Sequence, residues 1–386
     1  MTVKRMLDVS FSETMRISKM ASSMEAEGRD IISLAVGEPD FDTPDFIVEE
    51  AYKAMKDGFT HYTTPQGIPE LREAVADKSR SFNNLDFKKE NVLITPTKQA
   101  LFMSILAHLD DGAEAIITDP SWVSYAPMIK FADGIPRRLP LIEEEDYSLD
   151  IETLNERISS RAELIVLNSP SNPTGMTIPK NDLKAIADIA IDNDLLVISD
   201  EVYENLIFEG EHISIGSFDG MRDRTITISG FSKSYAMTGW RLGWLLTHED
   251  LLDNIIKIQT HSITCATSFA QKAGVSALRK GDKAIDEMLQ TYKKRRKIIV
   301  DGLNAIDGFE CRNPNSTFYT FPRFDFKMDS MELALHLLKE AKVATTPGSA
   351  FGDKGENHLR MSFANSSENI KEALERIEKV AEGLDR

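Results

Sequence analysis

Three features of the sequence predict an α/β protein with a mostly parallel sheet between helices, followed by a smaller α+β domain. Between about residues 50 and 280, short apolar runs alternate with longer helical patterns: NVLIT (91–95), AIIT (115–118), LIVLNS (164–169), LLVISD (195–200) and TITIS (225–229). Near-continuous Val, Ile and Leu runs of this kind read as strands covered on both faces, the condition of a parallel sheet. Four of the runs end in polar or turn-forming residues: TPTK, DPSW, NSPSNPTG and DEVY. From about 285 onward the pattern changes to short strand-like pieces and a one-sided helix.

Taken in order, residues 1–45 are expected to form an N-terminal arm and part of the small domain. Residues 46–284 form the large, ligand-carrying domain, and 285–386 the small C-terminal α+β domain. The first twenty residues contain no long apolar core and no small-residue cleavage pattern, so no leader is expected. KAIDEMLQTYKKRRKIIVDGL (283–303) reads as a charged helix bridging the two domains. FYTFPRF (318–324) and VATTP (343–347) are strand-like. In ENIKEALERIEKVAEGL (368–384), Ile370, Leu374, Ile377, Val380 and Leu384 fall at helical spacing and give one apolar side.

Composition narrows the function. A chain of 386 residues is long enough for two domains and a large core. A net charge of −17 with dispersed acidic residues argues against a nucleic-acid partner, while leaving room for one focused basic pocket. Two cysteines, Cys265 and Cys311, make no disulfide framework, and no stretch reaches the ~20 apolar residues of a membrane span. A cytoplasmic location is the expectation. No metal ligand set is assigned.

The chemistry centres on SGFSKSYAMTGWRLG (229–243), which sets Lys233 among small and hydroxyl residues, eight positions before Arg241. A desolvated lysine has a lowered pKa and can form a Schiff base. Arginine's planar fork suits a phosphate. An amine that condenses with an aldehyde, near an arginine that holds a phosphate, is the arrangement pyridoxal phosphate requires.

In open α/β sheets ligands bind beyond the carboxyl ends of strands, so the polar tips are the places to search. Asp200 ends one run; it either caps the following segment or faces a pyridine nitrogen, keeping the ring protonated. Tyr203 follows three residues later. Asn172, in the turn former NPTG, offers an amide near the same place, although a turn alone explains that composition. Thr97 and Lys98 open a helix whose backbone N–H groups suit a phosphate. Trp122, after DPS, either packs in the core or stacks on a cofactor ring. Arg360, in the alternating HLRMSFA (358–364), either makes an internal salt bridge or grips a substrate carboxylate. Gly37, in SLAVGEPDFDTP (33–44), lets backbone approach a substrate.

With VGEPDFDTP, HYTTPQGIPELREAV, NSPSNPTG, SDEVYE, SKSYAMTGWRLG and HLRMSFA in this order, nearly the whole chain resembles the fold-type I, pyridoxal-phosphate-dependent aminotransferases of class I and II. It is most similar to their prokaryotic aspartate aminotransferase branch. The resemblance implies a mostly parallel, seven-stranded sheet in the large domain. It makes Lys233 the Schiff-base lysine and proton carrier, pairs Asp200 with the ring nitrogen, and sets Tyr203 and Asn172 at the ring hydroxyl. Trp122 would stack on the ring, while Arg241, Thr97 and Lys98 would hold the phosphate. Arg360 and the Gly37 backbone would hold the substrate carboxylate, with Asn172 and Trp122 beside it.

Tyr62 matches a tyrosine that reaches the neighbouring subunit's phosphate, implying a homodimer with shared active sites. Lys98, Ser12 and Thr14 match positions near the distal end of the substrate. Two departures stand out: TPTK lacks the glycine usual at the phosphate turn and is one residue shorter, and Gly230 stands where a serine is usual. The implied activity is ping-pong transfer of the amino group of aspartate or glutamate to a 2-oxo acid. An aromatic, alanine or kynurenine aminotransferase, or a β-lyase, would use the same site. A cofactor-binding regulator would carry a basic DNA-binding extension, and an idle binding protein would have lost Lys233, Asp200 or Arg360. A nicotinamide dehydrogenase would show G-x-G-x-x-G after its first strand, which this chain does not.

Overall fold

A computed structural model describes Met6, Val9 and residues 13–386. Strand β1 (Ile32–Ser33) lies outside the main sheet. The main sheet contains β2 (Val92–Ile94), β3 (Glu114–Asp119), β4 (Ile135–Ile142), β5 (Ser148–Leu149), β6 (Ala162–Asn168), β7 (Leu196–Asp200), β8 (Thr225–Gly230) and β9 (Gly243–Leu246). Their spatial order is β2-β9-β8-β7-β6-β3-β4-β5, and β4, β3, β6, β7 and β8 run parallel. All five apolar runs read from the sequence are strands of this sheet.

The sheet has eight strands rather than seven. The eighth, β5, is a two-residue antiparallel return on β4. β4 itself carries Pro136, Arg137, Arg138 and Pro140, which break up the apolar pattern beside the sheet edge.

Alternate strand residues serve two opposite cores, which is why the runs read as continuous. Ile117, Leu164, Val166, Ile198 and Ile228 pack against Leu101, Ile105 and Ile129 from helices on one face. Ile116, Ile165, Leu167 and Val197 pack against Leu183 and Ile186 on the other.

The remaining strands are short: β10 (Phe309–Glu310), β11 (Tyr319–Thr320), β12 (Arg323–Phe324), β13 (Val343–Ala344), β14 (Thr346–Pro347) and β15 (Leu359–Ser362). β15 pairs antiparallel with both β11 and β14. β1 pairs parallel with β13, joining the arm to this part of the chain. Pro322 separates the two halves of the run read at 318–324. Helix Asp282–Ala305 spans the charged segment, and helix Ser367–Ala381 closes the chain. The latter starts at Ser366, whose hydroxyl accepts from Asn369 N at 3.0 Å, a cap contributing about 1 kcal/mol. It buries Ile370, Ala373, Leu374 and Ile377.

Just past β7 lies a buried ionic network. Glu201 accepts from Ser199 Oγ, Ser214 Oγ and His212 Nε2, and Glu204 accepts from Lys78, Asn83 and Ser229. Glu201, Glu204 and His212 cluster closely enough to suit a metal; the two carboxylates are held by these donors, while His212 Nδ1 has no partner among the described residues. Burial alone would lower the His212 pKa, but the Glu201 and Glu204 carboxylates outweigh it and raise the value. Burial alone would raise the Glu204 pKa, but the charges of Lys78 and His212 outweigh it and lower the value.

The raised histidine stabilises fully below its unfolded pKa of about 6.5 and loses that effect as pH rises through its folded value. The depressed glutamate stabilises above about 4.3 and loses that effect as pH falls. The network is therefore most stabilising between those limits. His212→Gln should cost about 3 kcal/mol at pH 6 and progressively less toward pH 9. Thermal denaturation at both pH values checks this, and an equal loss at both would contradict it.

Candidate active site

The carboxyl ends of β6, β7 and β8 face one cavity of about 480 Å³, which the arm residues Gly37 and Glu38 and the β15 residue Arg360 also line. Asn168 and Asp200 are register partners at the ends of β6 and β7, and Asn168 Nδ2 donates to Asp200 O at 3.0 Å. Asn168 Oδ1 accepts from Asn172 N at 2.8 Å, which fixes the following turn against the strand tip. Asp200 is buried, and Tyr125 Oη donates to its Oδ2 at 2.8 Å. Burial raises the Asp200 pKa to about 6, against the pull of the Tyr125 hydrogen bond and the Val202 N–H.

Lys233 sits one turn past β8, in the short helix Phe231–Ser234. Its Nζ donates to Gly37 O at 2.5 Å and lies 5.9 Å from the Tyr203 ring centre and 5.8 Å from that of Phe318. Desolvation lowers its pKa to about 8; Arg360 and Arg241 push the same way, and Glu38 and Asp200 oppose them. Tyr203 Oη and Tyr319 Oη are 3.0 Å apart, and burial raises both phenols, which stay neutral and able to donate.

Arg360 is 5% exposed, and its side-chain hydrogen-bond partners among the described residues are Asn172, Ala35 and Thr346, with no carboxylate within 4.0 Å. Its Nη1 donates to Asn172 Oδ1 at 3.2 Å and its Nη2 to Ala35 O at 2.6 Å, while its buried Nε has no partner among the described residues. The guanidinium lies over the rings of Tyr319, at 4.6 Å, and Phe351, at 5.2 Å. A Cβ added at Gly37 would come within 2.6 Å of Tyr319 Oη, so glycine is needed there for close approach.

At the other end of the cavity, helix Thr97–His108 begins after Pro96, which supplies no capping side chain. Lys98 Nζ lies 4.7 Å from the Trp122 ring centre, and burial followed by the Arg241 charge lowers its pKa. Arg241 adopts a left-handed backbone, φ 53°, and its Nη1 donates to Thr238 O.

Lys233, Asp200, Tyr203, Asn172, Trp122, Arg241, Thr97, Lys98, Gly37 and Arg360 thus line the same cavity. Tyr62 does not: it is 87% exposed and away from this chain's cavity. Ser12 lies outside the described residues, and of Thr14 only its place in helix Glu13–Ala26 is described. Met15 and Ser18 of that helix do reach the cavity. Sequence reasoning missed Tyr125, Asn168, Glu38, Ser232 and Tyr319. Asn168 and Ser232 fall inside motifs already singled out, so their strand-tip positions were the available signal. Nothing distinguished Tyr125 and Tyr319 from core aromatics.

Residues 29–377 match the family described as aminotransferase class I and II. The chain is 44% identical over 375 residues, 96% of its length and 95% of the relative's, to an aspartate aminotransferase of Pyrococcus abyssi. It is 42% identical over 375 residues, again 96% and 95% of the two chains, to aromatic-amino-acid aminotransferase 2 of Thermococcus litoralis. A solved structure of Thermus thermophilus aspartate aminotransferase with maleate superposes with a TM-score of 0.94 at 36% identity, covering 98% of this chain and 99% of that one.

Proposed function

The chain belongs to the class I and II aminotransferases, and we propose that it moves the amino group of aspartate or glutamate to a 2-oxo acid. The family depends on pyridoxal 5′-phosphate, and its substrates are amino acids and 2-oxo acids. The observation that carries the reading is a single cavity holding a desolvated amine, a buried carboxylate at a strand tip and a buried guanidinium with no acidic partner among the described residues.

These residues fit the cofactor. Arg241 and the uncapped start of helix Thr97–His108 would hold its phosphate. Asp200 would hold the ring nitrogen, Tyr203 and Asn172 the ring hydroxyl, and Trp122 would cover a ring face. When bound, the cofactor supplies an aldehyde carbon that takes up the amino group and a ring that draws electrons from the substrate's α-carbon.

The chain's own work is positioning and proton transfer. Asp200 keeps a negative charge at the strand tip, where it favours a protonated ring nitrogen. Arg360 and the Gly37 backbone orient the α-carboxylate. Lys233 Nζ, whose pKa burial brings to about 8, would hold the aldehyde until the substrate amine displaces it, and the freed amine would then carry the α-proton.

Lys98 supports the acidic preference: it is a solvent-exposed ammonium on the cavity wall, and among the described residues no carboxylate lies within 4.0 Å of it. A second reading, for aromatic amino acids, is favoured by Met15, Val36 and Leu101, which line the same cavity. We also propose a homodimer. Helix Asp45–Lys56 buries Ile47, Ala51 and Ala54 yet leaves Val48, Tyr52 and Met55 exposed as an apolar stripe, and Tyr62 projects nearby in sequence. The division at residues 46 and 285 belongs to the same reading: one core combines Ile17–Ala35 with most of the apolar side chains beyond 287. Among the described residues no helix is long and apolar enough to cross a membrane, and the two free cysteines support a cytoplasmic place.

One experiment with two arms tests this. Aspartate or glutamate should convert the bound cofactor to its amino form faster than phenylalanine or alanine does, read spectrally. Lys98→Ala should slow the acidic substrates about tenfold and spare phenylalanine. Aspartate no faster than alanine or phenylalanine would remove the acidic preference. Light scattering should give twice the 43.2 kDa chain mass; a monomer would remove the shared-site reading.

A further inference from the structure

We infer that Thr97 is a positioning residue of the phosphate turn, bolted by its hydroxyl into a socket formed by Gly230 and Gly243. This rests on the reading of the cavity as the cofactor site. Gly230 and Gly243 are register partners across the antiparallel pair β8 and β9. A Cβ added to either would lie 2.4 Å from Thr97 Oγ1, closer than real side chains approach. At Gly243 that atom would also meet Ser229 O at 2.9 Å and Thr97 N at 3.0 Å. Gly230 has φ 174°, an extended backbone open to any residue, so its requirement is for space rather than conformation.

The hydroxyl of Thr97 donates to Ser229 O at 3.3 Å, and Thr95 N donates to Gly243 O at 3.0 Å. The turn is therefore tied to both strands at the point where β8 ends and β9 begins. With the hydroxyl turned to the sheet and Pro96 as cap, no side chain caps the first-turn N–H groups of helix Thr97–His108, which opens beside Lys98 on the cavity wall. Hydrogen bonds to a phosphate weaken steeply with misplacement, so a shift of the turn by a few tenths of an ångström would be felt there. Both departures noted in the sequence, a turn without glycine and Gly230 in place of serine, meet at this one contact.

The test is the dissociation constant of the full-length, cofactor-stripped protein for pyridoxal phosphate and for pyridoxal, which lacks the phosphate. Gly230→Ala should weaken pyridoxal phosphate about 30-fold or more and leave pyridoxal within about threefold. Adding Thr97→Gly should bring the double variant to within about threefold of Thr97→Gly alone. Equal losses for both ligands, or singles that simply multiply in the double variant, would overturn the inference.

Should Gly230→Ala fail to fold, Thr97→Ser and Thr97→Ala decide the matter. Serine should bind pyridoxal phosphate like the wild type and alanine about tenfold more weakly, with pyridoxal unaffected; equal binding by the two overturns the bolt. A wild type that binds no pyridoxal phosphate overturns the functional reading beneath it, a result that no variant series imitates.

Discussion

Lys233→Ala is expected to lower turnover by at least about 10³-fold while leaving a folded protein. Among the described residues the side chain makes one hydrogen bond, to Gly37 O, and no salt bridge, so its removal costs little structure. What it removes is the amine. Arg241, Asp200 and Arg360 stay in place, so cofactor and substrate should still bind, and the loss should fall on kcat. Borohydride reduction should fix the cofactor to the wild-type peptide containing Lys233 and to no peptide of the variant.

The pH dependence follows from the same amine. Only the neutral form attacks an aldehyde, and burial has brought its pKa to about 8. Capture of pyridoxal phosphate by cofactor-stripped protein should therefore accelerate as pH rises from 6 to 8 and level off above. A variant retaining more than a tenth of wild-type turnover, or a capture rate flat across that range, would show that another group does this work.

How much of this was legible in the sequence depended on whether a residue's neighbours in the chain are also its neighbours in space. Asp200, Asn172 and Lys233 could be read because each follows an apolar strand, and strand tips converge in a parallel sheet. The five apolar runs could be read because both faces of each strand are covered. β5 could not, since two residues carry no period. Tyr125 and Tyr319 were invisible for a different reason. Both are buried aromatics in apolar contexts, and only the fold brings one to Asp200 and the other to Tyr203 and Arg360.

The glycine-free turn and Gly230 could each be seen in the sequence, but not that they touch. Thr97 and Gly230 are 133 positions apart, and only the pairing of β9 with both β2 and β8 brings them into contact. For Arg360 the sequence left an internal salt bridge and a substrate carboxylate equally open. The structure supplies the missing fact, because among the described residues its partners are an amide, a backbone carbonyl and a hydroxyl, with no carboxylate within 4.0 Å.

That fact makes Arg360 the second large effect. A buried guanidinium without an anion is held by Asn172 Oδ1, Ala35 O and Thr346 Oγ1 and by the faces of Tyr319 and Phe351, with Nε still free. A planar fork so positioned can meet a carboxylate through two parallel N–H donors, which a lysine cannot reproduce. Removing one side of a buried, hydrogen-bonded charge pair costs about 2–5 kcal/mol, or roughly 30- to 5,000-fold in kcat/KM. Arg360→Lys should fall near the low end and Arg360→Gln near the high end, with the change mainly in KM. If the residue were only structural, both variants would lose melting temperature and keep KM. A sharper comparison uses an amine that matches the substrate but lacks the α-carboxylate. Wild type and Arg360→Gln should process it at the same slow rate, because the group that Arg360 recognises is missing from it. A variant that slows this amine as much as it slows the amino acid would remove Arg360 from carboxylate recognition.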